Sequence, residues 1–69
     1  MYESLIPKEY DGKSLLDFVR DMGGKMGFDW DTHTHLASLD NTFIALNYMQ
    51  RTLVKEGQQV KVFPLPAGG

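Results

Sequence analysis

Cysteine is absent from this 69-residue chain. That excludes an internal disulfide, a thiolate nucleophile and Cys-ligated zinc. A small domain without bridges fits the cytoplasm, the expected location. No apolar run approaches the roughly 20 residues of a membrane-spanning helix, so no membrane partner is expected. The opening Met1-Tyr2-Glu3-Ser4 carries no basic region, and no signal-peptide core follows it. An excess of positive charge is also missing. Seven Lys and Arg stand against nine Asp and Glu, a net charge of -2. The cations are scattered, whereas nucleic-acid phosphates call for clustered ones, so no nucleic-acid partner is expected. Repeats, linkers and low-complexity segments are lacking as well.

What is present is enough for one core. Hydrophobic residues make up 42% of the chain, which argues against disorder. A domain near this length buries only about 60% of its unfolded surface, so modest stability is expected.

The clearest element is a helix over residues 14–22. Ser14 and Asp17 stand in a capping-box relation. Leu15, Phe18, Val19 and Met22 then recur at helical spacing, with Asp17, Arg20 and Asp21 on the other side. Gly23-Gly24 is expected to end it through a left-handed cap. Tyr2 to Ile6 reads as a strand, Pro7-Lys8-Glu9 as a turn, and Tyr10 as the start of a brief second strand. Lys25 to Thr34 is irregular, with Phe28 and Trp30 folding back as lid residues. His35 to Leu39 is a strand closed by a turn at Asp40-Asn41-Thr42, and Phe43-Ile44 adds a short strand. Leu46, Met49 and Leu53 indicate a turn or two of helix. Lys55-Glu56-Gly57-Gln58 is a turn before a last strand, Gln59 to Phe63, with Val60 and Val62 on one face. This order gives the fold class α+β. One main helix packs across a mixed sheet of four or five strands, a small grasp fold. Residues 1–63 form the domain and residues 64–69 a C-terminal tail.

The tail is the most informative segment. Pro64-Leu65-Pro66-Ala67 leads into Gly68-Gly69. The prolines restrict φ and hold the segment extended. The glycines carry no Cβ, so another protein's backbone can approach closely. Extended, the segment from Pro64 reaches about 20 Å. The bland reading is a frayed terminus or an engineered scar. The coupling of Gly-Gly to the strand exit at Phe63-Pro64 and to the upstream glycine turn stands against it.

These residues resemble a known family. Leu36-Ala37-Ser38-Leu39-Asp40-Asn41 is similar to the strand and turn of ThiS/MoaD-type sulfur-carrier proteins. The run from Thr52 to Phe63 resembles their leucine, acidic-glycine turn and apolar strand, with Gln58 where Asp often stands. Pro64 to Gly69 resembles their closing segment, and Gly12 to Val19 their glycine turn and helix start. The resemblance implies a β-grasp, ubiquitin-like fold. It also implies that a ThiF/MoeB-type adenylyltransferase, using ATP, activates the C-terminal carboxylate of Gly69. A sulfur donor protein then makes the thiocarboxylate, and an acceptor synthase takes the sulfur. The length favours the ThiS-like end, with a thiazole synthase of thiamine biosynthesis as acceptor. A MoaD-like donor for molybdopterin is the alternative. So is a ubiquitin-like modifier forming isopeptide bonds, or a plain interaction module. No cofactor is expected on the chain and no enzyme activity of its own. Phe63, Pro64, Leu65, Pro66, Ala67 and Lys61 are the expected partner-binding residues beside Gly68 and Gly69.

That chemistry suits a bare glycine end. An α-carboxylate, with a reference pKa near ~3.5, is ionised at neutral pH and resists nucleophiles. Adenylation removes the charge and supplies a leaving group. Other candidates are weaker. Asp29, Asp31, His33 and His35 alternate, which invites a metal reading, but two His and carboxylates without a closed ligand set are a weak signal, and an exposed polar strand or loop explains them better. No metal is expected. Gly23-Gly24-Lys25-Met26-Gly27 lacks the spacing of a phosphate loop and reads as a helix cap. Met22, Met26 and Met49 read as core or core-edge fillers. Trp30 and Tyr48 read as partly buried anchors or partner contacts. Nothing resembles a Ser-His-Asp arrangement.

Overall fold

The computed structural model describes residues 1–30 and 35–65. Strand β1 is Tyr2–Leu5, helix α1 is Leu15–Met26, and strands β2, β3 and β4 are His35–Leu39, Thr42–Ile44 and Gln59–Pro64. The four strands form one sheet in the order β1-β4-β2-β3. Every pairing is antiparallel. The mixed sheet expected from the sequence is therefore replaced by an antiparallel one. The cause is that β1 and β2 both flank β4 and both run against it. They point the same way, but β4 separates them.

The helix starts as the sequence indicates and ends later. Ser14 is extended, and its hydroxyl accepts from the Asp17 amide at 3.2 Å. Gly23 and Gly24 do not stop it. The left-handed cap falls at Gly27, with φ +83°, and the Gly27 and Phe28 amides both donate to the Gly23 carbonyl, at 2.8 and 2.9 Å. Gly23 has a different task. A Cβ there would lie 2.4 Å from the Phe28 carbonyl oxygen, so glycine lets the returning chain lie against the helix. At Gly24 a Cβ meets nothing within 4 Å. These two neighbours are expected to respond oppositely to alanine. Gly24→Ala stabilises by up to about 1 kcal/mol through helix propensity. Gly23→Ala destabilises by about 1–3 kcal/mol through overpacking. Thermal melts of the two variants measure the signs. A stabilised Gly23→Ala would contradict this packing.

No second strand forms at Tyr10. Lys8–Tyr10 is a 3-10 turn, so the expected first hairpin is absent. The turn directs Tyr10 onto the helix, where its ring meets Phe18 edge-on at 5.1 Å. Leu46–Tyr48 is a second 3-10 turn. Backbone bonds then tie the helix start to the following segment. The Gly12 amide donates to Val54, the Val54 amide to Lys13, and the Leu15 amide to Thr52, each at 2.8 Å.

The core lies between α1 and one sheet face. Leu15, Val19, Val54, Val60 and Val62 expose no surface, and Ile6, Met22, Ala37 and Met49 join them. Cross-strand register explains this face. Val60 stands opposite Ser4 and Leu39, and Val62 opposite Tyr2 and Ala37. Phe28 and Trp30 pack against the core. Phe28 stacks on Tyr2 at 4.3 Å, which gives the expected fold-back a definite seat.

Candidate functional site

The site is built around the exit of β4. Alternation puts Val60 and Val62 toward the helix and Lys61 and Phe63 on the opposite face. β1 begins at Tyr2, opposite Val62, so at Pro64 only β2 lies alongside, with His35 as partner. Pro64 lacks an amide donor and is tolerated here because the strand has lost one neighbour. Leu65 follows, exposed.

Phe63 gathers apolar residues from other strands. Leu36 is its register partner on β2, and the Phe43 ring lies 5.5 Å from its own. Leu36 and Phe43 are 45% and 62% exposed. Lys61 pairs with Glu3 on one side and Ser38 on the other, and its ammonium donates to the Asn41 Oδ1 at 3.3 Å. The expected contact residues Lys61, Phe63, Pro64 and Leu65 therefore share one end of the fold. Leu36 and Phe43 lie beside Phe63 on the same face, and the sequence reading did not name them. The alternation in His35–Leu39 and Thr42–Ile44 carried the signal, once faces are assigned to each strand. Pro66, Ala67, Gly68 and Gly69 lie outside the described residues.

Two turns fix the strand that leads to the exit. At the β2–β3 corner Asp40 and Asn41 take φ +48° and +68°, residues that tolerate the left-handed region in a two-residue hairpin. The Asp40 carboxylate also accepts from the Gln59 amide at 2.9 Å, and the Asp40 amide donates to the Gln59 carbonyl at 2.8 Å. Before β4, Gly57 has φ +88°. Gln58 closes that turn, its Oε1 accepting from the Lys55 amide at 2.7 Å.

The other candidates separate. Asp29 is exposed before the strand and His35 opens it, whereas Asp31 and His33 lie outside the described residues. No group of three or more metal-ligating side chains occurs among the described residues. Trp30 is half-buried and tilted against His35 at 5.8 Å, whereas Tyr48 is exposed. Met22 and Met49 are buried, and Met26 is exposed at the core edge. Among the described residues no helix is long and apolar enough to cross a membrane.

Electrostatics single out Tyr10. Its hydroxyl donates to Asp21, and this bond pushes the phenol from 10.0 up to about 12. Desolvation and the charges of Asp21, Asp17 and Glu9 act in the same direction. The raised value means that the neutral phenol is favoured on folding. Its stabilisation is complete below pH ~10 and is lost as pH rises through about 12. Ultraviolet titration is expected to show one phenol ionising near the upper value, returning toward the reference in Asp21→Asn. An unchanged curve in that variant would remove the assigned cause.

No family model matches the chain, and no curated protein or solved structure does. The comparisons therefore assign no family.

Proposed function

We propose that the chain is a ThiS/MoaD-type sulfur carrier with a ubiquitin-like arrangement of its helix and sheet. One observation carries the reading most directly. The best-anchored strand, β4, is paired on both sides and runs out through Phe63–Pro64 toward Gly68 and Gly69. A strand held this way gives partners a firm handle beside a thin chain end. The Leu36–Phe43–Phe63 face, with Leu36 and Phe43 exposed and Phe63 half-buried, supports it, since an exposed apolar patch marks interaction surfaces.

The proposed sequence has two covalent steps. The Gly69 carboxylate attacks the α-phosphorus of ATP on a ThiF/MoeB-type adenylyltransferase, and pyrophosphate leaves. A sulfide equivalent, delivered by a sulfur donor protein, attacks the acyl-adenylate carbonyl. AMP departs with the former carboxylate oxygen, and one proton is released for each hydrosulfide consumed. The thiocarboxylate then passes its sulfur to an acceptor synthase, in the ThiS-like case one that builds a thiazole. This chain supplies no acid, base or metal. It supplies reach, steric thinness and recognition.

The reading takes Gly69 as the last residue of the mature chain, which an intact mass establishes at once. The test is to incubate the protein with ATP, a panel of ThiF/MoeB-type enzymes and sulfide, then weigh it again. Exchange of one oxygen for sulfur at Gly69 is the expected result. An unchanged mass across several competent enzymes overturns it. Higher-mass conjugates through target lysines would instead assign a protein modifier.

A further inference from the structure

The turn before α1 carries a reactive pair that sulfur transfer does not use. Asp11-Gly12 is the one place in the sequence where an aspartate or asparagine precedes glycine. In an open chain such a pair closes on itself. The Gly12 nitrogen loses its proton and bonds to Cγ of Asp11, one carboxyl oxygen leaves as water, and a cyclic imide results. Glycine favours this step because no Cβ shields its nitrogen. Water then adds back at one of the two imide carbonyls that derive from Asp11. Addition at Cγ restores aspartate. Addition at the main-chain carbonyl routes the backbone through Cβ and leaves isoaspartate, with the mass unchanged. One water leaves and one returns, so no oxidant or cofactor is needed.

The fold opposes that closure with a clasp. Oδ1 of Asp11 accepts from the Glu56 amide at 2.8 Å, which aims the carboxylate across the clasp and away from Gly12. The Gly12 amide donates to the Val54 carbonyl at 2.8 Å, so its nitrogen keeps its proton and its lone direction is fixed. The Val54 amide donates back to the Lys13 carbonyl at 2.8 Å. Val54 exposes no surface, so the clasp is anchored in the core. At ψ +124°, Asp11 also turns the Gly12 nitrogen away from its own Cβ. Solvent is not the barrier, since Asp11 and Gly12 are both exposed.

We propose that Asp11-Gly12 is a self-modification site gated by this clasp. It converts to isoaspartate when the clasp opens and is spared while the clasp is closed. The product does not fit the closed form. An extra backbone carbon before Gly12 shifts that amide out of register with Val54, so the altered chain loses the bonds that protected it. Chains that have opened thus acquire a lasting mark. Nothing in this chemistry involves Gly69, so it stands or falls apart from sulfur transfer.

The test is to hold the full chain near neutral pH, folded and in parallel unfolded in urea, and to follow the peptide containing residue 11 by chromatography and mass spectrometry. The imide is lighter by one water, and isoaspartate keeps the parent mass but elutes separately. The unfolded chain is expected to accumulate isoaspartate at residue 11, and the folded chain to do so at least about tenfold more slowly. Leu15→Ala loosens the core beside the clasp and is expected to raise the folded rate about tenfold or more. Exchange of the Gly12 amide proton must break the same bond to Val54, so it is expected to be slowed as well. Four results would each overturn the proposal: equal rates in the folded and unfolded chains, no isoaspartate at residue 11 in urea, no acceleration in a Leu15→Ala chain whose stability has fallen, or a freely exchanging Gly12 amide.

Discussion

A variant lacking Gly69 is expected to lose the sulfur-for-oxygen exchange entirely, while its melting temperature stays unchanged. The chain would still end in glycine, at Gly68, so the chemical identity of the terminus is preserved. What changes is reach. One extended residue spans about 3.3–3.6 Å, so the carboxylate falls short of the adenylating centre by that distance. A misplacement near 1 Å already costs about a hundredfold in rate. Deleting Ala67 shortens the tail equally but retains Gly68 and Gly69, and the same loss is expected. Intact mass after reaction with ATP, activating enzyme and sulfide reads both variants. Since β4 ends at Pro64, neither deletion removes a residue from the sheet. Normal exchange in the chain without Gly69 would refute the proposed role of that carboxylate.

The second large effect is on stability. Leu15 is fully buried in the first turn of α1, where its amide also bonds to Thr52. Leu15→Ala removes most of the side chain from a closed core and leaves a cavity, at a cost of about 2–5 kcal/mol. A domain of this length has only about 3–10 kcal/mol of stability, from roughly 0.05–0.15 kcal/mol per residue. The substitution therefore consumes much of the total. A fall in melting temperature of roughly 10–40 °C follows from about 4–8 °C per kcal/mol. Circular dichroism on heating or in urea measures it. A loss below ~1 kcal/mol would mean that the site collapses around alanine or that Leu15 is not a core residue.

The two results probe different levels of the same design, and they were not equally legible. The helix start could be read because its signal is local: Ser14 and Asp17 sit three residues apart and bond directly. β2 matched its expected bounds because alternation and the Asp40-Asn41 turn both lie within a few residues. The helix end was misplaced because Gly23-Gly24 looks like a stop. Its true role at Gly23 depends on Phe28 returning across the helix, a contact that pattern alone does not contain. Strand direction was missed for a related reason. The pairing of Tyr2 with Val62 joins residues at opposite ends of the sequence, and short-range spacing says nothing about their relative sense. The candidate face was half legible. Lys61, Phe63, Pro64 and Leu65 could be named as a group because they lead to the glycines along one strand and its exit. Leu36 and Phe43 reach the same face from two other strands, so only tertiary register unites them.

The antiparallel β1–β4 register also sets how the molecule yields to mechanical tension. Tyr2 lies opposite Val62, so Met1 and Leu65 leave the sheet at the same end. A pull between those points loads the terminal ladder bond first and then each next one in turn. Such a geometry peels open sequentially, where oppositely placed ends would share the force by shear across all bonds together. A translocating unfoldase gripping the Leu65 side against a tethered Met1 should therefore meet little resistance from this pair of strands.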